Sequence, residues 1–110
     1  MKEFAELWND IKNKLNNKNH IKNWTYYQWT KDKKGYLGED FYAKYVGKEV
    51  VECYLKRGTV QRIPQLAFQI LYKNWESYSK GLLPRSKLIE DTRFSKYTIS
   101  IFHHMGMSYD

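Results

Sequence analysis

The chain has 110 residues, 42% of them hydrophobic and 17% aromatic, and it predicts a single domain over residues 1–110 with enough apolar material for a core. The formal net charge of +7 favours an anionic partner, nucleic acid before a membrane surface, with ordinary surface lysine as the alternative explanation. Only one cysteine is present, Cys53, which excludes an intramolecular disulfide and a cysteine-based zinc cluster.

Hydropathy gives no sign of a membrane segment. No apolar run approaches the roughly 20 residues that a spanning helix needs. The apolar positions between Phe4 and Leu15 are interrupted by charged and amide side chains, which is untypical of a signal peptide. The sequence therefore predicts a cytoplasmic protein without a membrane partner.

The first predicted element is an amphipathic helix near the start of the chain. Its apolar residues recur at spacings of three and four, which places them on one helical face. They are Phe4, Leu7, Trp8, Ile11 and Leu15. Core packing is the expected role of this stripe.

An aromatic segment, NWTYYQWT at 23–30, predicts a short strand, and the charged sequence at 31–35 predicts a turn after it. Neighbouring lysines such as Lys22 allow a second interpretation, a platform on which the bases of single-stranded nucleic acid stack. A half-buried edge strand is favoured, because rings also pack well on a pleated surface.

The next two segments predict helices. Residues 39–46 place aromatic side chains on one helical side, and residues 48–57 keep apolar residues at helical spacing. The β-branched pair Val50 and Val51 leaves a strand open as the alternative for the second segment. Residues 59–63 predict a short extended piece.

A central helix is predicted after Pro64, which suits a first helical position. This helix is expected to end near Gly81, and it is apolar on more than one face. Its apolar residues are Leu66, Phe68, Ile70, Leu71, Trp75 and Tyr78. Pro84 then marks the entry to the last predicted unit.

That last unit, RSKLIEDTRFSKYTISIFHHMG at 85–106, predicts a helix-turn-helix with a tight turn at 92–94. Leu88 and Ile89 supply the apolar positions of the first helix. Ile99 and Phe102 hold the second helix, which Ser95 is expected to cap. The fold class expected for the whole chain is therefore mostly α, with a short β element.

Six residues of this unit are candidates for contact with nucleic acid. The first turns of a recognition helix face the groove, while basic residues nearby reach the phosphate backbone. The candidates are Arg85, Lys87, Arg93, Lys96, Tyr97 and Ser100. Ile101 is expected to face outward and, with His104, to contact a protein partner.

These residues resemble the helix-turn-helix and winged-helix families of bacterial regulators and replication proteins. The shared pattern is an apolar pair, a turn, an apolar residue and then Ser-Lys-x-Thr-Ile-Ser, matched here from Leu88 to Ser100. The resemblance implies a helix that lies in the DNA major groove. The chain departs from the pattern at Arg93, where the families have glycine, and at Ile101, where they often have a basic residue.

The whole chain also resembles a family of small accessory proteins, the middle proteins of the replication operon on staphylococcal cassette chromosomes. The phrases GTVQRIPQ at 58–65 and RSKLIEDTRFSKYTISIF at 85–102 carry this resemblance. It implies a partner of an A-family DNA polymerase that helps the polymerase to start strands. It implies no particular functional residues.

Catalytic and metal-binding motifs do not stand out in the sequence. It has no glycine loop that would hold phosphates, and the adjacent His103 and His104 point in different directions on a helix. We therefore expect a non-catalytic protein without metal or cofactor that binds nucleic acid, with DNA favoured, and a larger replication enzyme. A dimeric transcriptional repressor and a protein-binding adaptor with a vestigial helix-turn-helix are the alternatives.

Overall fold

The computed structural model describes residues 3–25, 39–84, 87 and 93–107. Within these ranges the chain forms the following helices and strands, in chain order. They are helix α1 (Phe4–Lys14), strands β1 (Asn19–Ile21), β2 (Phe41–Tyr45), β3 (Val50–Tyr54) and β4 (Val60–Pro64), and helices α2 (Gln65–Ser79) and α3 (Ser95–His104).

The four strands form one antiparallel sheet in the order β1-β2-β3-β4. Three helices and this sheet make a small α+β domain, so the prediction of a mostly α fold is wrong. The error lies in residues 39–57, where two strands replace the two predicted helices. The strand alternative allowed by Val50 and Val51 is correct, and the extended piece at 59–63 is confirmed as β4.

Side-chain alternation explains why β2 is a strand. Phe41 and Ala43 are buried, whereas Tyr42 and Lys44 between them are exposed, and this period of two belongs to a strand with one covered face. The same pattern in β3 buries Val51 and opposes it to buried Ile63 of β4. This segment predicts a helix from sequence because Phe41, Tyr42 and Tyr45 also fall on one side of a helix.

The turn between β2 and β3 holds left-handed backbone at three successive residues, Gly47, Lys48 and Glu49. Residues that carry a side chain adopt this conformation at an energetic cost, which contacts of the Glu49 carboxylate offset. It accepts a hydrogen bond from the Trp8 indole and one from the Tyr45 hydroxyl, the latter at 3.4 Å. The bond from Trp8 ties the turn to α1.

One hydrophobic core lies between the sheet and the helices. The apolar stripe of α1 is buried as predicted, and α2 contributes Phe68, Leu71 and Trp75, which confirms the central helix. Trp75 meets Phe102 of α3 edge to face at 5.3 Å between ring centroids. The three helices of the described ranges therefore cover the same face of the sheet, and side chains on its other face, such as Tyr42, are exposed; we call this the open face.

The last predicted unit lies partly within the described residues. Its second helix is confirmed as α3, and Ile99 and Phe102 are fully buried in it. Phe94, not Ser95, occupies the N-cap position, so the predicted cap is wrong. The first helix and Thr92 of the turn fall outside the described residues apart from Lys87.

The predicted strand at 23–30 also lies only partly within the described residues. Residues 23–25 belong to no strand, and the strand of this region lies earlier, at Asn19–Ile21. Residues 26–30 and the turn at 31–35 lie outside the described residues.

Candidate functional site

The open face of the sheet carries the side chains that alternate with the core residues. These are His20, Tyr42, Lys44, Glu52, Tyr54 and Arg62. Tyr42 leaves 47% of its surface exposed, which is high for a large ring in the middle of a sheet. Aromatic residues grouped on one solvent-facing surface are typical of a binding site.

Three rings of the open face lie side by side in what we call the aromatic row: His20, Tyr42 and Tyr54. Tyr42 pairs directly with His20 on one side and with Tyr54 on the other. Neighbouring strands are about 4.8 Å apart, so the row advances across the sheet by one ring per strand. The His20 and Tyr42 centroids are 5.4 Å apart with the rings at 67°.

Cations surround the aromatic row. The Lys18 ammonium lies 4.3 Å from the Tyr54 ring centroid and 5.7 Å from that of Tyr42, within cation–π range of both. Lys56 and Arg57 are exposed in the turn after β3. The site is therefore both aromatic and positively charged.

The carboxylate of Glu52 lowers the net charge at the other side of the open face. It accepts a hydrogen bond from the Tyr54 hydroxyl at 2.8 Å and lies 3.2 Å from the Arg62 guanidinium. The hydrogen bond to Glu52, with some desolvation, raises the pKa of Tyr54 above its ordinary value. Tyr54 thus stays a neutral phenol, fixed in orientation by Glu52.

A cleft of about 260 Å³ opens above the aromatic row. Its walls contain both tyrosines, two lysines and one carboxylate. The lining residues are Lys18, His20, Asp40, Tyr42, Tyr54, Leu55 and Lys56. A planar group on the tyrosines and an anionic group beside the lysines would both find complementary surfaces here.

Asp40 is the acidic group in the cleft, and two contacts hold its carboxylate in place. Its Oδ1 accepts the backbone N–H of Asn23 at 3.1 Å, and its Oδ2 lies 3.2 Å from His20 Nε2. Asn23 is fully buried; its side-chain amide donates to the Glu39 carbonyl at 3.1 Å and accepts from the Thr25 hydroxyl at 2.6 Å. This side of the cleft is therefore preorganised.

The residues predicted to read DNA from α3 lie on the opposite, helix-covered side of the sheet. Tyr97 and Ser100 are buried, so the expectation that they face outward is wrong. Tyr97 packs edge to face on Phe41 at 5.2 Å, and the Ser100 hydroxyl accepts the backbone N–H of Trp24 at 3.1 Å. Lys96 is half-buried, with its ammonium 5.1 Å from the Tyr97 ring.

The remaining residues predicted to contact nucleic acid or a protein partner do not form one surface in the described ranges. Lys87 and Arg93 are exposed, and Arg85 lies outside the described residues. Ile101 is 0% exposed and belongs to the core, so the prediction that it faces outward is wrong. His104 is half-buried, and among the described residues its Nε2 is a buried atom without a hydrogen-bond partner.

A second aromatic contact lies beyond the end of β1. The Trp24 ring stacks on His103 of α3, with centroids 4.7 Å apart and rings at 27°, and the Lys22 ammonium lies 4.4 Å from its centroid. Trp24 belongs to the segment in which the sequence suggested a stacking platform. Trp24 leaves 41% of its surface exposed, somewhat less than Tyr42 at 47%, so the aromatic row offers the slightly more accessible ring.

Cys53 is buried, and burial raises the pKa of its thiol far above the ordinary value, which leaves it unreactive. The described part of the chain holds no cluster of three or more histidine, cysteine or acidic side chains that could bind a metal. None of its described helices is both long and apolar enough to cross a bilayer.

Comparison of the chain with models of protein families, with curated proteins and with solved structures finds no match.

Sequence reasoning missed the aromatic row, although a signal for it is present. FYAKY and VVECY both alternate apolar with polar or aromatic residues, and the second position of one pairs with the last position of the other. Reading them as strands would have put Tyr42 and Tyr54 on the same face. Only the register adds His20 beside them.

Proposed function

We propose that this protein binds single-stranded nucleic acid, DNA in the first place, on the open face of its sheet. The observation that carries the proposal is the aromatic row beneath the Lys18 ammonium. Bases stack on aromatic side chains at about 1–3 kcal/mol each, and every base has a face that can do so. Aromatic side chains on an open four-stranded sheet bind single strands in this way in known modules.

Charge supports the same conclusion. The chain carries a net charge of +7, and Lys18 and Lys56 line the cleft in which a base would stack. A strand that crosses the sheet along the row would bring its phosphates near these ammonium groups. Duplex DNA is a poorer ligand for this face, because its bases are already stacked on one another.

We further propose that the protein is a non-catalytic accessory of a larger replication enzyme, an A-family DNA polymerase. This part rests on the resemblance of the phrases at 58–65 and 85–102. A single-strand-binding surface suits such a role, since a polymerase that starts strands works on an exposed template. A repressor of the helix-turn-helix kind receives less support, because Tyr97 and Ser100 lie in the core.

The test is a matched pair of substitutions at Tyr42. Tyr42→Phe keeps the ring, and Tyr42→Leu removes it while keeping an apolar β-compatible side chain. We expect affinity for a fluorescent oligothymidylate to be nearly unchanged in the first and to fall by about fivefold or more in the second, since one stacked base contributes at least about 1 kcal/mol. Because Tyr42 is exposed, both variants should keep the circular dichroism of the parent. Equal affinities of the two variants would refute stacking on this ring.

A further inference from the structure

We propose that Asp40 makes the cleft select bases that carry an exocyclic amino group, cytosine, adenine and guanine, over thymine and uracil. This inference rests on the proposed function, since it concerns the base that stacks on the aromatic row. It names a specificity-determining residue for that site.

The position of Asp40 places its carboxylate beside the aromatic row. Asp40 lines the same cleft as Tyr42 and Tyr54, and about 39% of its side chain is exposed. The backbone N–H of Asn23 and the imidazole of His20 hold its two oxygens at 3.1 and 3.2 Å. A base that stacks on Tyr42 therefore presents its edge toward a carboxylate of fixed position.

The hydrogen-bonding capacity of the Asp40 carboxylate matches an exocyclic amino group. An ionised carboxylate only accepts hydrogen bonds, and each oxygen has room for a second donor. The amino groups of cytosine, adenine and guanine are donors, and a carboxylate is the usual acceptor for cytosine N4. Thymine and uracil present a carbonyl oxygen where cytosine has its amino group, so the carboxylate would face another acceptor.

The charges that line the cleft also favour one orientation of a nucleotide. A carboxylate repels phosphate, whereas Lys18 and Lys56 attract it. The nucleotide is thus oriented with its base edge toward Asp40 and its phosphate toward the lysines. Asp40 is an unexpected residue in a site for a polyanion, and a role in reading the base accounts for it.

Cytosine and thymine provide the cleanest test, because they have the same ring size. The affinities of equal-length oligodeoxycytidylate and oligothymidylate are measured by fluorescence anisotropy at mildly alkaline pH, where cytosine is unprotonated. We expect the unmodified protein to bind the cytidylate about threefold to tenfold tighter, the net effect of one ordinary hydrogen bond in a partly exposed site. Asp40→Asn keeps an oxygen for the Asn23 N–H but replaces an acceptor by a donor, so it should abolish or reverse the preference.

Glu76→Gln is the matched control. It removes the same charge from an exposed position on α2, where Glu76 pairs with Lys80 at 2.7 Å, and it should leave the preference unchanged. Equal binding of both oligonucleotides by the unmodified protein, or an unchanged preference in Asp40→Asn, would overturn the role of Asp40. If neither oligonucleotide bound, or if Tyr42→Leu left both affinities unchanged, the proposed function itself would fail.

Discussion

At the residue scale, the contact between Lys18 and Tyr54 bears on the proposed stacking of a base on the aromatic row. An exposed cation–π contact contributes about 0.5–1 kcal/mol. A stacked base contributes about 1–3 kcal/mol, so a base can displace the ammonium from the ring. The displaced ammonium remains on its flexible stem beside the cleft, where it can pair with the phosphate of the bound nucleotide.

Ile101 shows the limit of sequence reasoning at this scale. An amphipathic helix has one apolar face, so of the adjacent Ile101 and Phe102 only one was expected to be buried. In the structure both are fully buried, and the segment that contains Trp24 contacts a further side of α3 at Ser100. That segment lies 76 residues away from Ser100 in the chain, and no local pattern announces the contact.

The first prediction concerns this buried position. Ile101→Ala should lower the free energy of unfolding by about 2–5 kcal/mol, because it leaves a cavity in a packed core. Ile101→Val, the graded control, should cost only about 0.5–1.5 kcal/mol. Urea denaturation measures both, and a loss below about 1 kcal/mol for the alanine variant would contradict the placement of Ile101 in the core.

At the scale of elements, two surfaces compete as the binding site: the open face of the sheet and the surface of α3. They lie on opposite sides of the sheet, since α3 packs on the core side through Tyr97 and Phe102. The helices α1 and α2 and the existence of α3 follow from the sequence periodicity. The sheet face follows only in part, because the alternation within β2 and β3 is present in the sequence, whereas the pairing that places His20 beside Tyr42 is not.

Salt dependence distinguishes these surfaces. Each phosphate neutralised on a single strand adds about 0.7 to the slope of log affinity against log salt concentration. Lys18→Ala and Lys56→Ala should each reduce the slope by about that amount, as phosphate contacts do. Lys96→Ala should leave it unchanged, contrary to the expectation from the helix-turn-helix pattern. A reduced slope in Lys96→Ala alone would move the phosphate contacts to α3.

At the scale of the whole molecule, one hydrophobic core joins the three described helices to the sheet, and two partly buried histidines, His103 and His104, lie at the end of α3. Burial lowers the pKa of His103 below the ordinary value of 6.5, and burial, aided by Lys14 and His20, lowers the pKa of His104. Protonation of either histidine is therefore less favourable in the folded than in the unfolded chain. Stability should depend on pH through this pair.

The sign of this dependence follows from proton uptake. Just below pH 6.5 the unfolded chain binds more protons than the folded one, so the free energy of unfolding falls as the pH decreases through this range. Replacing both histidines by glutamine should flatten the fall between neutral and mildly acidic pH. Thermal denaturation across this range measures it. An equally steep fall in the double variant would assign the pH dependence to other groups.

The central claim, that the open face of the sheet binds single-stranded nucleic acid, is tested most directly by mapping the contact in solution. The measurement is the change of backbone amide chemical shifts in NMR spectra when an oligonucleotide is titrated into the labelled protein. Binding at the open face should produce the largest changes at Lys18, His20, Tyr42, Tyr54 and Lys56, with little change along α3. Changes concentrated at Arg93 and Lys96 instead, with the aromatic row unaffected, would contradict it.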